Sequence, residues 1–340
     1  ICRKYEFGAY NEGEFEFCGV RYFQWDDGSI EMTQDSYIQR IHPIEIPRSR
    51  RQNPQSPLSS VEVQQLRQIC GSLQYASVHT RPDLAAKVGE LQTAVTKGKI
   101  EHLITANRVL YEAKSHPVSL MIVPIKEQQV TFCTFSDASF ETGKGQSTRQ
   151  GTIIFSTDGR LEENVKTVVC PIAWSSKKIP RVVRSTLSAE AVALGSTLDR
   201  LSWIRVFWEW MKSPDIDWSE PSAVLRMAPR SVVATDCKSV YDLSTKTSTP
   251  ACAESRTTLE CLLIRERLQE NCRLRWVNSK AMLADCLTKS MDGQVLRHAL
   301  MVGRYSLFDE NTILRDRATK RAQLKWINDG TEYGAAHGQT

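Results

Sequence analysis

The chain has 340 residues, and its 44 lysines and arginines against 39 aspartates and glutamates give a formal net charge of +5. Hydrophobic residues make up 41% and charged residues 24%, an ordinary globular composition that excludes collagen, a coiled coil and wholesale disorder. The length predicts two domains of ~150 residues each. The small positive charge permits a nucleic-acid partner without requiring one.

The ends of the chain and its cysteines indicate an intracellular fragment. The sequence begins at Ile1 with no signal peptide behind it, so we expect a piece of a longer or processed product. No apolar run approaches the ~18 residues of a membrane span, so no membrane association is predicted. The ten cysteines are scattered without a C-x-x-C pair, which is typical of reduced, mostly buried thiols.

The first segment of the chain predicts a hairpin followed by a linker. Apolar residues alternate in places over 13–33, and Asp27-Gly28 is a turn signal between them. The stretch 43–57 is charged and punctuated by prolines, which is typical of a linker or an extended arm.

Three amphipathic helices are predicted next. Ser59 and Glu62 form a capping-box signature at the start of the first helix. Pro82 suits the first turn of the second helix and Gly98 its end. The third helix stops before Pro117. The apolar stripes of all three predict a packed core.

Beyond residue 117 the pattern changes to strands, and then to an alternation of helices and strands. Strands are predicted at 118–123, 130–135, 152–155, 168–174, 231–235 and 273–277. Helices are predicted at 186–211, 238–243, 255–269 and from about residue 281. This order predicts an α/β fold whose mixed sheet is covered by helices. The polar residues after about 315 predict a loosely held tail.

Three tryptophans lie on the predicted long helix, at Trp203, Trp208 and Trp210. They would suit a platform on which nucleic-acid bases stack. Their helical spacing among other apolar residues favours the alternative, that they belong to the core.

Four acidic residues stand at ends of predicted strands or one turn into the helices that follow. They are Asp137, Glu190, Asp236 and Asp285. Because strand ends and the helix starts after them meet at one edge of an open sheet, we expect the four carboxylates to converge. Clustered carboxylates repel unless a cation intervenes, and Mg²⁺ takes carboxylate and phosphate oxygens. Singly, each residue has a structural explanation as a cap, a turn residue or a solvated charge.

The residues around these acids resemble the C-terminal part of copia-type LTR retrotransposon Pol polyproteins, and the order of elements resembles the ribonuclease H fold. The matching words are Phe-Ser-Asp-Ala-Ser (135–139), Ala-Trp-Ser-Ser-Lys-Lys (173–178), Ser-Thr-Leu-Ser-Ala-Glu-Ala-Val-Ala-Leu (185–194) and Leu-Ala-Asp-Cys-Leu-Thr-Lys (283–289). Upstream, 70–76 and 79–85 look like the segment that follows the polymerase palm.

The resemblance implies a division of the chain. Residues 1–45 would be a hairpin remnant that follows the polymerase palm, and 46–117 a helical, thumb- or connection-like region of reverse transcriptase. Residues 118–300 would form the RNase H-like domain, and 301–340 a C-terminal tail. The adjacent acids Asp26-Asp27 lie at a hairpin turn and resemble the strand pair after the palm, so no polymerase site is expected.

The resemblance also implies an activity, a cofactor and partners. The activity is cleavage of the RNA strand of RNA–DNA hybrids by two-metal hydrolysis, which leaves a 3′-hydroxyl and a 5′-phosphate. The ligands of the two Mg²⁺ ions, for which Mn²⁺ is a possible substitute, would be Asp137, Glu190, Asp236 and Asp285. The expected partners are the hybrid and the upstream polymerase domains of the same polyprotein, in a cytoplasmic particle or the nucleus.

Two departures from the family pattern support an alternative. Cys237 stands where the family often has asparagine, and no histidine lies between Asp236 and Asp285, where cellular ribonucleases H place one. The alternative is a catalytically degenerate module that binds nucleic acid or has a structural role in the polyprotein.

Basic and hydroxyl side chains near the acids predict contacts with nucleic acid. Four basic residues crowd the loop that enters the Glu190 helix, and they would track a phosphate backbone or form a solvated loop. They are Lys177, Lys178, Arg181 and Arg184. Ser139 and Ser188 would contact sugar 2′-hydroxyls, or be an ordinary turn residue and helix-start residue.

Overall fold

The computed structural model describes residues 12–140, 148–217 and 219–307. The first part contains a four-stranded antiparallel sheet in the order β1-β2-β3-β4 and a group of helices. Its strands are β1 (Glu14–Phe17), β2 (Val20–Gln24), β3 (Ile30–Thr33) and β4 (Ser119–Ile122). Its helices are α1 (Asp35–Gln39), α2 (Arg48–Arg51), α3 (Ser60–His79), α4 (Ala85–Ala94) and α5 (Ile100–Ser115).

The predicted hairpin is present, with one strand more than expected. The turn at Asp27-Gly28 joins β2 and β3, and Gly28 takes a positive φ of 82° that suits glycine. A second tight turn at Cys18-Gly19, both with positive φ, joins β1 and β2. The strand predicted at 118–123 pairs with β3, in the register Ile30 opposite Ile122. That strand therefore belongs to the first sheet and not to the second.

Helices α3, α4 and α5 pack around a shared apolar core, as their stripes predict. The capping box is formed. The Ser59 hydroxyl accepts a hydrogen bond from the Glu62 backbone N–H, and the Glu62 carboxylate accepts one from the Ser59 backbone N–H. The interpretation of 43–57 as a linker or arm is wrong in part. Ile44 and Ile46 are buried in the helical core. The Asn107 side chain accepts a hydrogen bond from the Ile44 N–H and donates one to the Ile44 carbonyl, both at 2.8 Å.

The second part contains a six-stranded mixed sheet in the order β10-β7-β6-β5-β8-β9, which confirms the predicted α/β class. Its strands are β5 (Thr131–Ser139), β6 (Arg149–Thr157), β7 (Thr167–Lys178), β8 (Ser231–Thr235), β9 (Cys272–Trp276) and β10 (Arg304–Tyr305). Its helices are α6 (Thr186–Lys212), α7 (Pro221–Met227), α8 (Lys238–Thr245), α9 (Ser255–Leu268) and α10 (Gln294–Val302). Strands β5, β6 and β7 are antiparallel, whereas β8 and β9 run parallel to β5.

Both faces of this sheet are covered. Apolar residues of α6, α8 and α9 form a core with one face of the sheet. Residues of α10 and of the loop before it form a second core with the other face. Leu120 of β4 belongs to that second core, so the small sheet and the large sheet share apolar packing.

The C-terminal elements differ from prediction. The helix predicted from about residue 281 is replaced by two short 3₁₀ turns, Ser279–Ala281 and Asp285–Leu287. Within the segment 301–340, β10 pairs with β7 at the sheet edge. The loosely held tail predicted after about residue 315 lies outside the described residues. The proposed division of the chain into four segments stays a prediction.

The prediction that all three tryptophans of α6 belong to the core is wrong for two of them. Trp208 packs edge-on against Phe132 of β5, but Trp203 is 67% exposed and Trp210 37%. The helix buries the stripe that contains Leu198 and Leu201. Since residues 203 and 210 lie seven apart and off that stripe, their side chains face away from the sheet.

The described residues bear on two further expectations. The nine described cysteines form no disulfide with one another, and five of them are buried. Among the described residues, no helix combines the length and the apolar character that crossing a membrane requires.

Candidate metal centre

Asp137 lies within the central strand β5, not after it, because that strand runs four residues further than predicted, to Ser139. The residue is 1% exposed. The Thr288 hydroxyl donates a hydrogen bond to Asp137 Oδ2, and the Lys289 ammonium lies 3.5 Å from the same oxygen. Asp137 is thus a buried carboxylate with a donor and a cation beside it.

Asp236 follows the neighbouring strand β8 directly. Strands β5 and β8 are parallel, and Phe135 pairs with Ala234. Asp137 and Asp236 each lie two residues after this pair, so they stand side by side. The predicted meeting of carboxylates at the ends of adjacent parallel strands is therefore realised in the register of this pair.

Glu190 comes to the same place from α6. The Ser185 hydroxyl accepts a hydrogen bond from the Ser188 backbone N–H at 3.1 Å and thereby fixes the start of the helix. Glu190 is 6% exposed, in the second turn. One carboxylate oxygen from each of Asp137, Glu190 and Asp236 lies within 4.8 Å of the others. The predicted convergence is confirmed for these three acids.

Asp285 approaches this group without joining it. It begins a 3₁₀ turn, and its Oδ1 pairs with the Lys289 ammonium at 2.9 Å. Lys289 therefore lies between Asp285 and Asp137. Thr288 and Lys289 belong to the segment 283–289 that carries the family resemblance, but the sequence pointed only to Asp285 within that segment.

The electrostatics of the site follow from burial and like charge. Burial, together with Asp137 and Asp236, raises the pKa of Glu190 to about 9. Burial and Asp137 raise the pKa of Asp285 to about 6. Burial also raises the pKa of Asp236. Burial lowers the pKa of Lys289, but the surrounding carboxylates outweigh it and raise the pKa above its usual value.

These properties fit a divalent cation of the hard, oxygen-binding class. Burial and neighbouring negative charge disfavour the ionisation of Glu190 and Asp236, and a cation bound between the carboxylates stabilises both groups as anions. The donor set consists of oxygens alone, which suits Mg²⁺ or Mn²⁺ better than zinc. Burial raises the pKa of the neighbouring Cys237 thiol to about 11. Its sulfur is also a softer ligand than Mg²⁺ or Mn²⁺ prefers.

Gly151 is a residue of the site that sequence reasoning missed. It pairs with Asp137 across β5 and β6. A Cβ atom at this position would lie 2.7 Å from Leu287 Cβ and 2.8 Å from Thr288 Cγ2. Only glycine therefore lets the turn that carries Asp285 close onto the sheet.

The six residues predicted to contact nucleic acid differ in their surroundings. Lys177 and Lys178 are exposed at the end of β7, and Arg184 is exposed in the loop before α6. Arg181 forms an ion pair with Glu260 of α9, which holds its charge at that helix.

The two predicted serines are both buried, Ser139 at 7% exposure and Ser188 at 6%. Ser139 lies two residues beyond Asp137, on the same face of β5. Its hydroxyl has no hydrogen-bond partner among the described residues. All six predicted contacts with nucleic acid stay predictions.

Comparison with known proteins gives one curated relative. The chain is 32% identical over 138 residues to the Retrovirus-related Pol polyprotein from transposon RE1 of Arabidopsis thaliana. The match covers 41% of this chain and 9% of the relative, so the chain spans a small part of that polyprotein. The predicted resemblance to retrotransposon Pol polyproteins is thereby confirmed. No family model matches the chain.

Solved structures show distant similarity. A foamy viral protease-reverse transcriptase in complex with RNA/DNA hybrid is similar with a TM-score of 0.43 and 14% identity, over 82% of this chain and 31% of that one. A PFV RNase H domain is similar with a TM-score of 0.26 and 12% identity, over 51% and 90%. The strand order and element order of the six-stranded sheet are those expected of a ribonuclease H-like fold.

Proposed function

We propose that this chain, a relative of retrotransposon Pol polyproteins, is a ribonuclease H-type endonuclease that cleaves the RNA strand of RNA–DNA hybrids. The observation that carries the proposal is the carboxylate group of Asp137, Glu190 and Asp236, two of them buried and Asp236 half-buried, whose oxygens lie within 4.8 Å of one another. Such a group is costly to fold without a cation, so its presence at the edge of a ribonuclease H-like sheet supports a metal-dependent hydrolase.

The residues that would hold Mg²⁺ are these three acids, with Asp285 beside them. When bound, divalent ions supply activation of water and stabilisation of the leaving oxygen in phosphodiester hydrolysis. The protein's own contribution is to fix the carboxylates on rigid elements. Asp137 lies in the central strand, and the start of the Glu190 helix is fixed by its Ser185 cap.

For the substrate, we propose that Lys177, Lys178 and Arg184 contact the phosphate backbone. We also propose that the Ser139 hydroxyl, which has no hydrogen-bond partner among the described residues, contacts the RNA strand. Arg181 would have to exchange Glu260 for phosphate to take part. We further propose that the upstream polymerase domains of the same polyprotein are a partner of this chain.

The test is cleavage of a hybrid with an end-labelled RNA strand in Mg²⁺. We expect RNA fragments with 3′-hydroxyl ends, and the variant Asp137→Asn should lose more than ~100-fold in rate, since even outer-shell partners of metal ligands cost 10–100-fold. Asp199→Asn is a matched control, because Asp199 is a largely exposed acid on α6. Cleavage by the wild-type chain no faster than by Asp137→Asn would overturn the proposal.

The alternative, a degenerate module that binds nucleic acid without cleaving it, is favoured by one observation. Lys289 and Thr288 already satisfy Asp137 Oδ2, so part of the acidic charge is offset within the chain. A gel-shift measurement on the same hybrid separates the two functions. Binding by the wild-type chain without metal-dependent cleavage would establish the alternative.

A further inference from the structure

Three large apolar side chains are exposed on the second half of α6, one helical turn apart. They form a stripe of Trp203, Phe207 and Met211, which are 67%, 45% and 51% exposed. We propose that residues 308–327 of this chain bind this stripe and the acidic loop that follows it. The stripe is a different surface from the metal centre, so the inference does not rest on the proposed function.

The stripe faces away from the rest of the described chain. The other side of α6 packs on the sheet through Leu198 and Leu201, in the core that α8 and α9 share. The small sheet and α10 pack against the opposite face of the large sheet. A single exposed apolar residue is ordinary, but three in one row on a helix are typical of an interaction surface.

The charge beside the stripe favours a basic partner. The loop after α6, residues 213–220, contains three acids and no basic residue. The acids are Asp215, Asp217 and Glu220. They would repel a phosphate backbone, so the stripe does not suit nucleic acid.

The C-terminal segment has the composition that such a surface requires. Residues 311–327 contain five basic residues and one acid, Asp316. The same residues include five large apolar side chains, which are Ile313, Leu314, Leu324, Trp326 and Ile327. The segment therefore offers apolar groups to the stripe and positive charge to the loop.

The described chain ends at the same end of the sheet as the stripe. Trp208 packs against Phe132 near the start of β5, so the second half of α6 lies at that end. Strand β7 is parallel to β5, because both are antiparallel to β6. Tyr305 of β10 pairs with Thr167 at the start of β7, so the chain leaves the sheet at this end as well.

The segment is long enough to reach the stripe. In the sheet order β10-β7-β6-β5, strand β10 lies ~14 Å from β5 at ~4.8 Å per strand. Residues 308–314 span up to ~23 Å when extended, which suffices to pass around the sheet edge to α6. The 13 residues 315–327 are then left to cover the stripe and the loop. The loosely held part of the tail would begin after residue 327.

The first experiment uses the photo-crosslinker p-benzoylphenylalanine in the full chain, placed either at Trp203 or, as a control, at Leu259. Leu259 is an exposed apolar residue of α9, and its neighbour Glu260 pairs with Arg181 before the start of α6, at the other end of that helix. After irradiation, peptide mass spectrometry should show a link to residues 308–327 of the same chain from position 203 and not from position 259.

Two results of this experiment would overturn the proposal. A link from position 203 to a second copy, seen as a dimer on a denaturing gel, would assign the stripe to self-association. Absence of any link between position 203 and the C-terminal segment would show that the segment does not bind there.

The second experiment measures tryptic cleavage at the basic residues of 311–327 in the wild-type chain, Trp203→Glu and the control Leu259→Glu. Losing a buried tryptophan contact should release the segment, so its cleavage should be about tenfold faster in Trp203→Glu. Cleavage in Leu259→Glu should match the wild type. Equal tryptic rates in all three chains would overturn the proposal.

Hybrid cleavage separates this inference from the proposed function. Trp203 lies ~20 Å along α6 from Glu190, at ~1.5 Å per residue. Trp203→Glu should therefore cleave the hybrid at the wild-type rate whether or not the segment is released. An inactive wild-type chain whose segment is linked to position 203 would overturn the endonuclease and leave this inference standing.

Discussion

At the residue scale, the fold raises the pKa of Glu190 far above the usual range of a carboxyl group, to about 9. Burial is the main cause, and the charges of Asp137 and Asp236 add to it. Without a divalent cation the Glu190 carboxyl is therefore protonated at neutral pH. A cation between the three acids reverses that preference, because it stabilises the anion more than the acid.

The stability of the metal-free chain should depend on pH through Glu190. The pKa of Glu190 rises from 4.5 to about 9 on folding, so between those values the folded chain holds a proton that the unfolded chain has lost. Stability should be highest below pH 4.5 as far as Glu190 is concerned, and fall as pH rises through this window. The slope from this group is at most about 1.4 kcal/mol per pH unit.

Urea unfolding in EDTA from pH 5 to 9 measures this dependence, and Glu190→Gln is the control because it removes the titrating group and keeps the shape. The free energy of unfolding of the variant should fall less steeply with pH than that of the wild type. Mg²⁺ should also flatten the wild-type profile. Parallel profiles for the two proteins would contradict the assigned burial of Glu190.

At the element scale, the sequence predicted most helices and strands of the described chain within a few residues. Strand β8 and the start of α6 are marked by uninterrupted apolar residues and by a cap, which are local signals. Strand β4 was placed in the wrong sheet because pairing depends on contacts with residues about ninety positions away. The helix predicted from about residue 281 is two 3₁₀ turns, an outcome that tertiary packing decides.

The candidate site was predictable to a similar degree. The acids could be found from their places relative to strands, and three of them meet as expected. The separation of Asp285 and the position of Lys289 could not be found, because both depend on how one short turn docks onto β6. That docking is governed by Gly151, which carries no functional group and gives no chemical signal.

The prediction at this scale is that Gly151→Ala opens the site. The added Cβ would collide with Leu287 and Thr288, so the turn must move away from the sheet. We expect a loss of about 1–3 kcal/mol in stability, as in other overpacked cores. Because Asp285 and Lys289 move with the turn, hybrid cleavage should fall by at least about tenfold, as when an outer-shell partner of a metal ligand is lost.

Gly159→Ala is the matched control for this change. Nothing lies within 4 Å of the Cβ that it would add, and the residue is exposed. Its stability and cleavage rate should equal those of the wild type. A Gly151→Ala chain as active as Gly159→Ala would show that the docking of the turn does not matter for the chemistry.

At the scale of the whole molecule, a buried ionic network joins the helical part to the sheet part. Arg81 and Asp83, both fully buried, form a two-point pair at 2.9 Å between α3 and α4. Arg297 of α10 lies 3.7 Å from Asp83 and 3.8 Å from Glu112 of α5. Trp174 of β7 adds a hydrogen bond of 2.7 Å to the backbone of α3. The two parts therefore share buried charges as well as apolar contacts.

The last prediction tests this coupling through the two aspartates that contact Arg297. Asp83→Asn leaves two buried guanidinium groups without their shared anion, and a broken buried pair costs about 3–5 kcal/mol. Asp292→Asn removes a 67% exposed partner of the same Arg297 and should cost about 1 kcal/mol or less. Because the network bridges both parts, Asp83→Asn should lower two urea midpoints together. One is seen by tryptophan fluorescence, to which the second part contributes five of the six described tryptophans, and the other by circular dichroism, to which the helices of both parts contribute. A loss confined to one of the two signals would mean that the helical part and the sheet unfold independently.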